Sequence, residues 1–104
     1  MENKAYEIQY TRLFQEDLTS AADYVANVLS NPDAAERLIN DTEQAILKRT
    51  SCAESFEPYP TTHNRKHPYF RIYVGNYTVF YVVIGNTMEV RRFLYSARNL
   101  PPQL

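Results

Sequence analysis

The chain has 104 residues, of which 44% are hydrophobic and 22% are charged, so we expect a single domain (1–104) with one two-layer core. Its formal net charge of −1 conceals an uneven distribution, because residues 1–62 carry eleven acidic and five basic side chains, whereas residues 63–104 carry one acidic and six basic side chains. A basic region of this kind suits an acidic protein partner or a nucleic acid.

Other features of the sequence exclude several classes of protein. The single cysteine, Cys52, excludes an internal disulfide and fits a reducing compartment. The first ten residues contain no apolar signal core, and no apolar run approaches membrane-spanning length. The sequence also has no glycine-rich phosphate loop, nucleophile elbow or paired-carboxylate motif. We therefore expect a cytoplasmic protein that needs no membrane, cofactor or metal.

The first half of the chain predicts a short strand followed by two helices. Residues 6–10 alternate between apolar and polar side chains, and Thr11 is a suitable N-cap for the first helix. That helix carries an apolar stripe at helical spacing, formed by Phe14, Leu18, Ala21, Val25 and Val28. Asn31-Pro32-Asp33 combines an Asn cap, a proline at the first helical position and an acid, and therefore predicts the start of a second helix. So short a connection predicts an antiparallel helical hairpin.

The last third of the chain predicts three strands, Tyr69–Val74, Tyr77–Ile84 and Thr87–Tyr95. Two Gly-Asn dipeptides separate them and indicate two-residue hairpin turns, in which glycine supplies a positive φ. The alternation slips at Arg91-Arg92, which predicts a β-bulge. The expected fold class is α+β in the order β-α-α-β-β-β, with the helical hairpin on one face of an antiparallel sheet.

The other face of this sheet is expected to be open and basic. It should display Tyr69, Arg71 and Tyr73, together with Arg91 and the tail residue Arg98. Arginine interleaved with tyrosine can pair with phosphates and stack on bases. The same face could instead bind an acidic protein or be simply solvated, and the residues alone leave these readings open.

Two histidines precede the sheet. His63 and His67 are four residues apart, but Pro68 and the lack of helical periodicity argue against a metal pair on a helix. Loop histidines beside a basic sheet could act as general acid or base, although exposed loop residues without such a role are more common. Cys52 is expected to be a packing residue, since it lies at a helix C-terminus, where the dipole disfavours a thiolate.

The order of elements and several local motifs resemble the RelE/ParE superfamily of bacterial toxins. The motifs are the opening of the first helix at Phe14 to Asp17-Leu18, the second-helix start Asn31-Pro32-x-Ala34-Ala35, the hairpin Gly75-Asn76-Tyr77-x-Val79-Phe80-Tyr81, and the closing Arg92-Phe93-Leu94-Tyr95-Ser96-Ala97-Arg98-Asn99. The resemblance implies a growth-inhibiting toxin of a type II toxin–antitoxin, or plasmid stabilisation, system. It also implies a cognate antitoxin that neutralises the toxin and forms an oligomer with it.

The superfamily divides by target. Its RelE-like members cut messenger RNA on the ribosome, and for that activity the candidate catalytic residues are Arg71, Tyr73, Tyr95, Arg98, His63 and His67. The chain departs from this branch at Thr78, where the ribonucleases carry an arginine, and it lacks their C-terminal Tyr or His.

ParE-like members inhibit DNA gyrase by binding it, and the tail Leu94-Tyr95-Ser96-Ala97-Arg98-Asn99 is more similar to theirs, with Tyr95 replacing the usual histidine and Asn99 the aspartate. In this reading no catalytic residues are needed. The candidate residues for binding the target or the antitoxin are Arg71, Tyr73, Arg91, Arg92, Tyr95, Arg98 and Asn99. A non-toxic remnant that only binds its antitoxin is a third possibility.

Overall fold

The computed structural model describes residues 5–56, 58 and 66–96. Its elements follow the predicted order, with one π-helical turn inserted after the first helix. They are β1 (Glu7–Tyr10), α1 (Arg12–Asp23), the π turn (Tyr24–Val28), α2 (Pro32–Arg49), β2 (Phe70–Val74), β3 (Tyr77–Ile84) and β4 (Thr87–Tyr95).

The two helices begin where the sequence predicts. The Thr11 hydroxyl accepts a hydrogen bond from the Phe14 N–H at 3.2 Å, and the Asn31 side chain accepts one from the Ala34 N–H at 3.1 Å. Each cap satisfies one of the backbone N–H groups that a helix leaves unpaired in its first turn. The helices fold back on each other through a short turn in which Ser30 has a φ of +52°.

The sheet has four strands in the order β1-β4-β3-β2. The predicted antiparallel meander of β2, β3 and β4 is confirmed, and β3 is flanked by both of its neighbours in the chain. β1 differs from the expectation of a purely antiparallel sheet, because it pairs in parallel with β4 from Glu7↔Thr87 to Tyr10↔Val90. The helical hairpin carries the chain from β1 across the sheet to β2 at the opposite edge, and the meander then returns β4 to the side of β1. Such a crossover permits parallel pairing.

The turns and the bulge follow the predictions. Gly75 and Gly85 have φ values of +56° and +62°, and each opens a two-residue turn that glycine alone accommodates at little cost. On β4 the pairing shifts between Tyr81↔Val90 and Phe80↔Arg92, so that Arg91 is the extra residue of the bulge.

The sheet is buried on its helix side and on part of its outer face, which differs from the expectation of a fully open second face. The main core lies between the helices and the sheet and includes Phe14, Ile46, Val79, Tyr81, Val90 and Phe93. On the outer face, opposite the helices, Tyr69, Phe80, Val82 and Leu94 form a second buried cluster. Tyr69, expected to be displayed there, is only 1% exposed. The alternation correctly assigned it to the outer face, but apolar neighbours from β3 and β4 cluster with it there. Among the described residues, no helix is long and apolar enough to cross a membrane.

Candidate functional site

A groove of about 680 Å³ lies between the end of the first helix and the end of the sheet. One wall comes from α1 and the π turn, and the other comes from the start of β3 and the end of β4. The groove thus lies at the place where the chain leaves β4 towards the predicted functional tail.

The helical wall is apolar and exposed. In the π turn the Leu29 N–H donates to the Tyr24 carbonyl oxygen at 3.1 Å, five residues back, which is the wider spacing of a π-helix. Tyr24 is 51% exposed and Leu29 is 56% exposed, and both line the groove. Val28 beside them is 66% exposed. At this end of the hairpin, several large apolar side chains are therefore exposed to solvent.

The wall formed by the sheet is aromatic. Tyr77 stacks on Phe93 with ring centroids 4.9 Å apart and meets Tyr95 edge to face at 5.6 Å. Burial raises the pKa of Tyr77, and the nearby phenols of Tyr24 and Tyr95 raise it further. The Tyr77 side chain therefore remains a neutral phenol at physiological pH.

An ion pair closes the groove beside α1. Asp17 accepts two hydrogen bonds from the Arg92 guanidinium, at 2.7 and 3.1 Å, and a third from the Phe93 N–H at 3.0 Å. These bonds to Asp17 raise the pKa of Arg92, with burial opposing them. Because each charge is matched by the other, the pair adds no net charge to the groove.

Arg71 and Tyr73 lie away from this groove, on the outer face of the sheet. The Arg71 guanidinium carbon is 5.9 Å from the centroid of the Tyr73 ring, and Tyr73 is 65% exposed. Arg91 belongs to the same face, where it bonds Glu89 at 2.6 Å and the Tyr69 hydroxyl at 3.4 Å. Burial lowers the pKa of Arg91, but the bonds to Tyr69 and Glu89 outweigh it and the net shift is upward.

The structure therefore divides the residues that the sequence singled out. Tyr95 and Arg92 line the groove, whereas Arg71, Tyr73 and Arg91 belong to the outer face. His67 is half-buried just before β2. His63, Arg98 and Asn99 lie outside the described residues.

Cys52 is half-buried after α2, as a packing residue would be. Within the ranges that the structure describes, no three His, Cys, Asp or Glu side chains come together in a way that could hold a metal ion.

Sequence reasoning missed the residues that shape the groove. In the sequence, Asp17 belongs only to the motif that opens the first helix, whereas its partner Arg92 lies 75 positions away. Tyr24 and Leu29 stand at the end of an amphipathic pattern that gives no sign of a π turn. The only available signal was the number of large apolar residues in this segment, which exceeds what one buried stripe requires: Tyr24, Val25, Val28 and Leu29.

The arrangement of the groove suits binding better than chemistry. Its walls are aromatic and aliphatic, and its one acid and one guanidinium neutralise each other. Such a surface fits an apolar segment of another protein.

Comparisons with known proteins agree with this fold. Residues 8–100 match the family model for the ParE toxin of the type II toxin–antitoxin system parDE. A chain of the chromosomal ParDE toxin–antitoxin system from P. aeruginosa is 16% identical, with 88% of this chain and 96% of that chain covered and a TM-score of 0.71. A chain of the archaeal RelE–RelB complex from Pyrococcus horikoshii OT3 is 15% identical, with 92% and 100% covered and a TM-score of 0.53. No curated protein sequence matches significantly. Since the family model spans most of the chain, the protein belongs to the ParE toxin family of type II toxin–antitoxin systems.

Proposed function

We propose that this toxin inhibits DNA gyrase by binding it, and that a cognate antitoxin protein neutralises it. The observation that carries the proposal is the division of the candidate catalytic groups between two faces of the sheet. Tyr95 packs against Tyr77 on the helix side, whereas Arg71 and Tyr73 belong to the outer face.

Cleavage of RNA needs a base, an acid and a cation around one phosphate. The Tyr95 phenol in the groove and Arg71 lie on opposite faces of the sheet, which disfavours a phosphate shared between them. Thr78, which stands where the ribonucleases carry an arginine, is 4% exposed and shares a hydrogen bond of 2.9 Å with Ser96. Arg91 and Arg92 are engaged by Glu89 and Asp17. These contacts favour a toxin that acts by binding.

The direct test uses purified toxin and gyrase. We expect the toxin to block supercoiling and to accumulate cleaved complexes at micromolar concentration, and we expect Arg98→Ala, or removal of residues 98–104, to abolish both effects. Arg12→Ala is the matched control, because it also removes one arginine and its side chain is 90% exposed. Unchanged supercoiling at micromolar toxin would rule out gyrase as the target.

Pulse-labelling of DNA and protein synthesis tests the same proposal in cells. Minutes after the toxin alone is induced in bacteria, DNA synthesis should fall while protein synthesis continues. If protein synthesis falls first, the target lies in translation. If neither falls and growth is normal, the chain is a non-toxic member of the family.

One observation favours a second candidate function, a ribosome-dependent endoribonuclease. Tyr73 is exposed beside the Arg71 guanidinium, and such a pair can hold a base and a phosphate. This candidate requires cuts within translated messages after induction. Intact messages in growth-arrested cells would exclude it.

A further inference from the structure

β1 forms one edge of the sheet, and its outer side has no neighbouring strand. The Glu7 N–H donates to the Asn86 carbonyl at 2.9 Å, and the Thr11 N–H donates to a β4 carbonyl at 3.0 Å, so the odd-numbered residues of β1 face β4. The backbone N–H and carbonyl groups of Ile8 and Tyr10 therefore face away from the sheet. Among the described residues, no partner is found for these four groups. Unpaired strand groups of this kind are a template for an added strand.

The opposite edge of the sheet, β2, is protected by an arginine. The Arg49 guanidinium donates to the Arg71 carbonyl at 3.1 Å and to the Tyr81 hydroxyl at 2.9 Å. The guanidinium carbon also lies 3.6 Å from the centroid of the Phe56 ring, which holds the charge in place. A charge fixed at a strand edge is one way in which proteins prevent pairing with another chain. Of the two edges, β1 is therefore the one that is available for pairing.

The spacing of the free groups on β1 matches a second copy of the same strand. When two antiparallel copies meet at Gln9, Ile8 of each copy faces Tyr10 of the other, and each of these pairs exchanges two hydrogen bonds. All four free groups of each strand are then satisfied. Glu7, the one charged residue of β1, faces Thr11 of the other copy. The pairing is therefore complementary in its hydrogen bonds and brings no like charges opposite each other.

The side chains of β1 support the same register. Ile8 packs against the main core, and Tyr10 stacks on Phe14 with ring centroids 5.3 Å apart, so both side chains lie on the helix side of the sheet. Tyr10 is nevertheless 40% exposed. In the paired strands it lies opposite Ile8 of the second copy. Pairs of an aromatic and a β-branched side chain across two strands stabilise a sheet, so the pairing gives the exposed part of Tyr10 an apolar neighbour.

We infer that two copies of this chain form a dimer through β1, with the strands antiparallel and Gln9 on the twofold axis. The pairing joins two four-stranded sheets into one continuous sheet, and the interface is isologous, as in most soluble dimers. The groove described above lies at the other end of β4, so the pairing leaves it open. The inference goes beyond the proposed function and does not depend on gyrase as the target.

The first test uses disulfide cross-linking to measure the register. Cys52 is the only cysteine of the chain, and Cys52→Ala removes it from the background. In the inferred dimer the two Gln9 Cα atoms are about 4.5 Å apart, within the range of a disulfide, whereas the two Glu7 Cα atoms are about 14 Å apart. We expect purified Gln9→Cys to form a covalent dimer under mild oxidation. Glu7→Cys is the matched control, because Glu7 is also exposed on β1, and it should stay uncross-linked.

The second test measures association of the purified toxin by light scattering over a range of micromolar concentrations. We expect the wild type to show twice the mass of one chain. Gln9→Lys places two like charges opposite each other and should raise the dimer dissociation constant by about fivefold or more, with a smaller effect at high salt. Gln15→Lys is the matched control, since it makes the same change at an exposed position on α1, and it should leave the dissociation constant within about twofold.

Three results would overturn the inference. They are a monomeric mass of the wild type at every concentration, equal cross-linking of Gln9→Cys and Glu7→Cys, and equal dissociation constants of Gln9→Lys and Gln15→Lys. Thermal denaturation verifies that each variant folds. The outcome is independent of the proposed function, because a monomer that blocks supercoiling would refute the dimer alone, whereas a dimer that leaves supercoiling unchanged would refute gyrase as the target alone.

Discussion

At the scale of single residues, Asp17 connects α1 to the last strand. It is 75 positions from Arg92 and only 16% of its side chain is exposed, so its hydrogen bonds are made in a partly dehydrated site. Bonds to charged groups in such sites contribute more than those at the surface. No local pattern in the sequence predicts this pairing, because only the folded sheet brings the two residues together.

We expect Asp17→Ala to destabilise the protein by about 1–3 kcal/mol, since it leaves Arg92 and the Phe93 N–H without their acceptor. Glu16→Ala is the control, because Glu16 pairs with Arg12 at the surface, where the side chains are 57% and 90% exposed. That variant should change stability by about 0.5 kcal/mol or less. Urea denaturation of both variants gives the comparison, and equal losses would show that Asp17 has no special role.

Tyr81 is the polar residue at the centre of the main core. It is fully buried, and its hydroxyl donates to the Ala53 carbonyl at 2.7 Å and accepts from Arg49 at 2.9 Å. Burial raises its pKa, while the bond to Arg49 opposes the shift. The hydroxyl thus ties the end of α2 and the following turn to the sheet.

We expect Tyr81→Phe to lower the free energy of unfolding by about 1–3 kcal/mol, since two buried partners lose their bonds. The pKa of Tyr81 is higher in the folded protein than its ordinary value of 10.0, so the loss should be fully present below pH 10 and should shrink as the pH rises further. Tyr73→Phe is the control, because Tyr73 is 65% exposed and its replacement should change the free energy of unfolding little. A stability difference that stays constant above pH 10 would contradict this assignment.

At the scale of elements, local signals predicted nearly every boundary. Thr11 and Asn31 mark the helix starts because side-chain caps act within three residues, and the Gly-Asn pairs mark the turns because only glycine readily adopts the required φ. The parallel pairing of β1 with β4 was not predicted, since it depends on the path of the whole helical hairpin. The π turn was also missed, because its apolar residues fit an α-helical stripe almost equally well.

The hairpin turns allow a test at this scale. In Gly85→Ala the added Cβ meets nothing within 4 Å, so the expected loss of about 1–3 kcal/mol comes from the backbone strain of a φ of +62° alone. Asn86→Ala in the same turn should be close to neutral, because only Gly75, Gly85 and Ser30 have a positive φ among the described residues. Thermal denaturation distinguishes the two, and equal shifts in Tm would contradict the turn assignment.

At the scale of the whole molecule, less of the basic charge in the last third of the chain is available to a binding partner than the sequence suggests. Arg92 is paired with Asp17 and Arg91 with Glu89, and Arg71 lies beside Tyr73 on the outer face. The charge asymmetry was predictable from a count of residues. The pairing of Arg91 and Arg92 within the protein was not predictable. The partner of Arg92, Asp17, lies on a distant helix, and the pairing of Arg91 with Glu89 depends on the bulge.

Arg71→Ala separates binding from catalysis by the size of its effect. If the toxin acts on gyrase by binding, loss of one partly exposed charge should raise the half-inhibitory concentration for supercoiling by about fivefold or less, the equivalent of about 1 kcal/mol. A cation that stabilises a phosphorane would instead cost about a hundredfold or more in cleavage rate. Arg71→Lys refines the comparison, since it keeps the charge but loses the planar fork. A hundredfold loss of toxicity in Arg71→Ala, partly restored in Arg71→Lys and accompanied by intact DNA synthesis in the wild type, would replace the gyrase mechanism with the ribonuclease one.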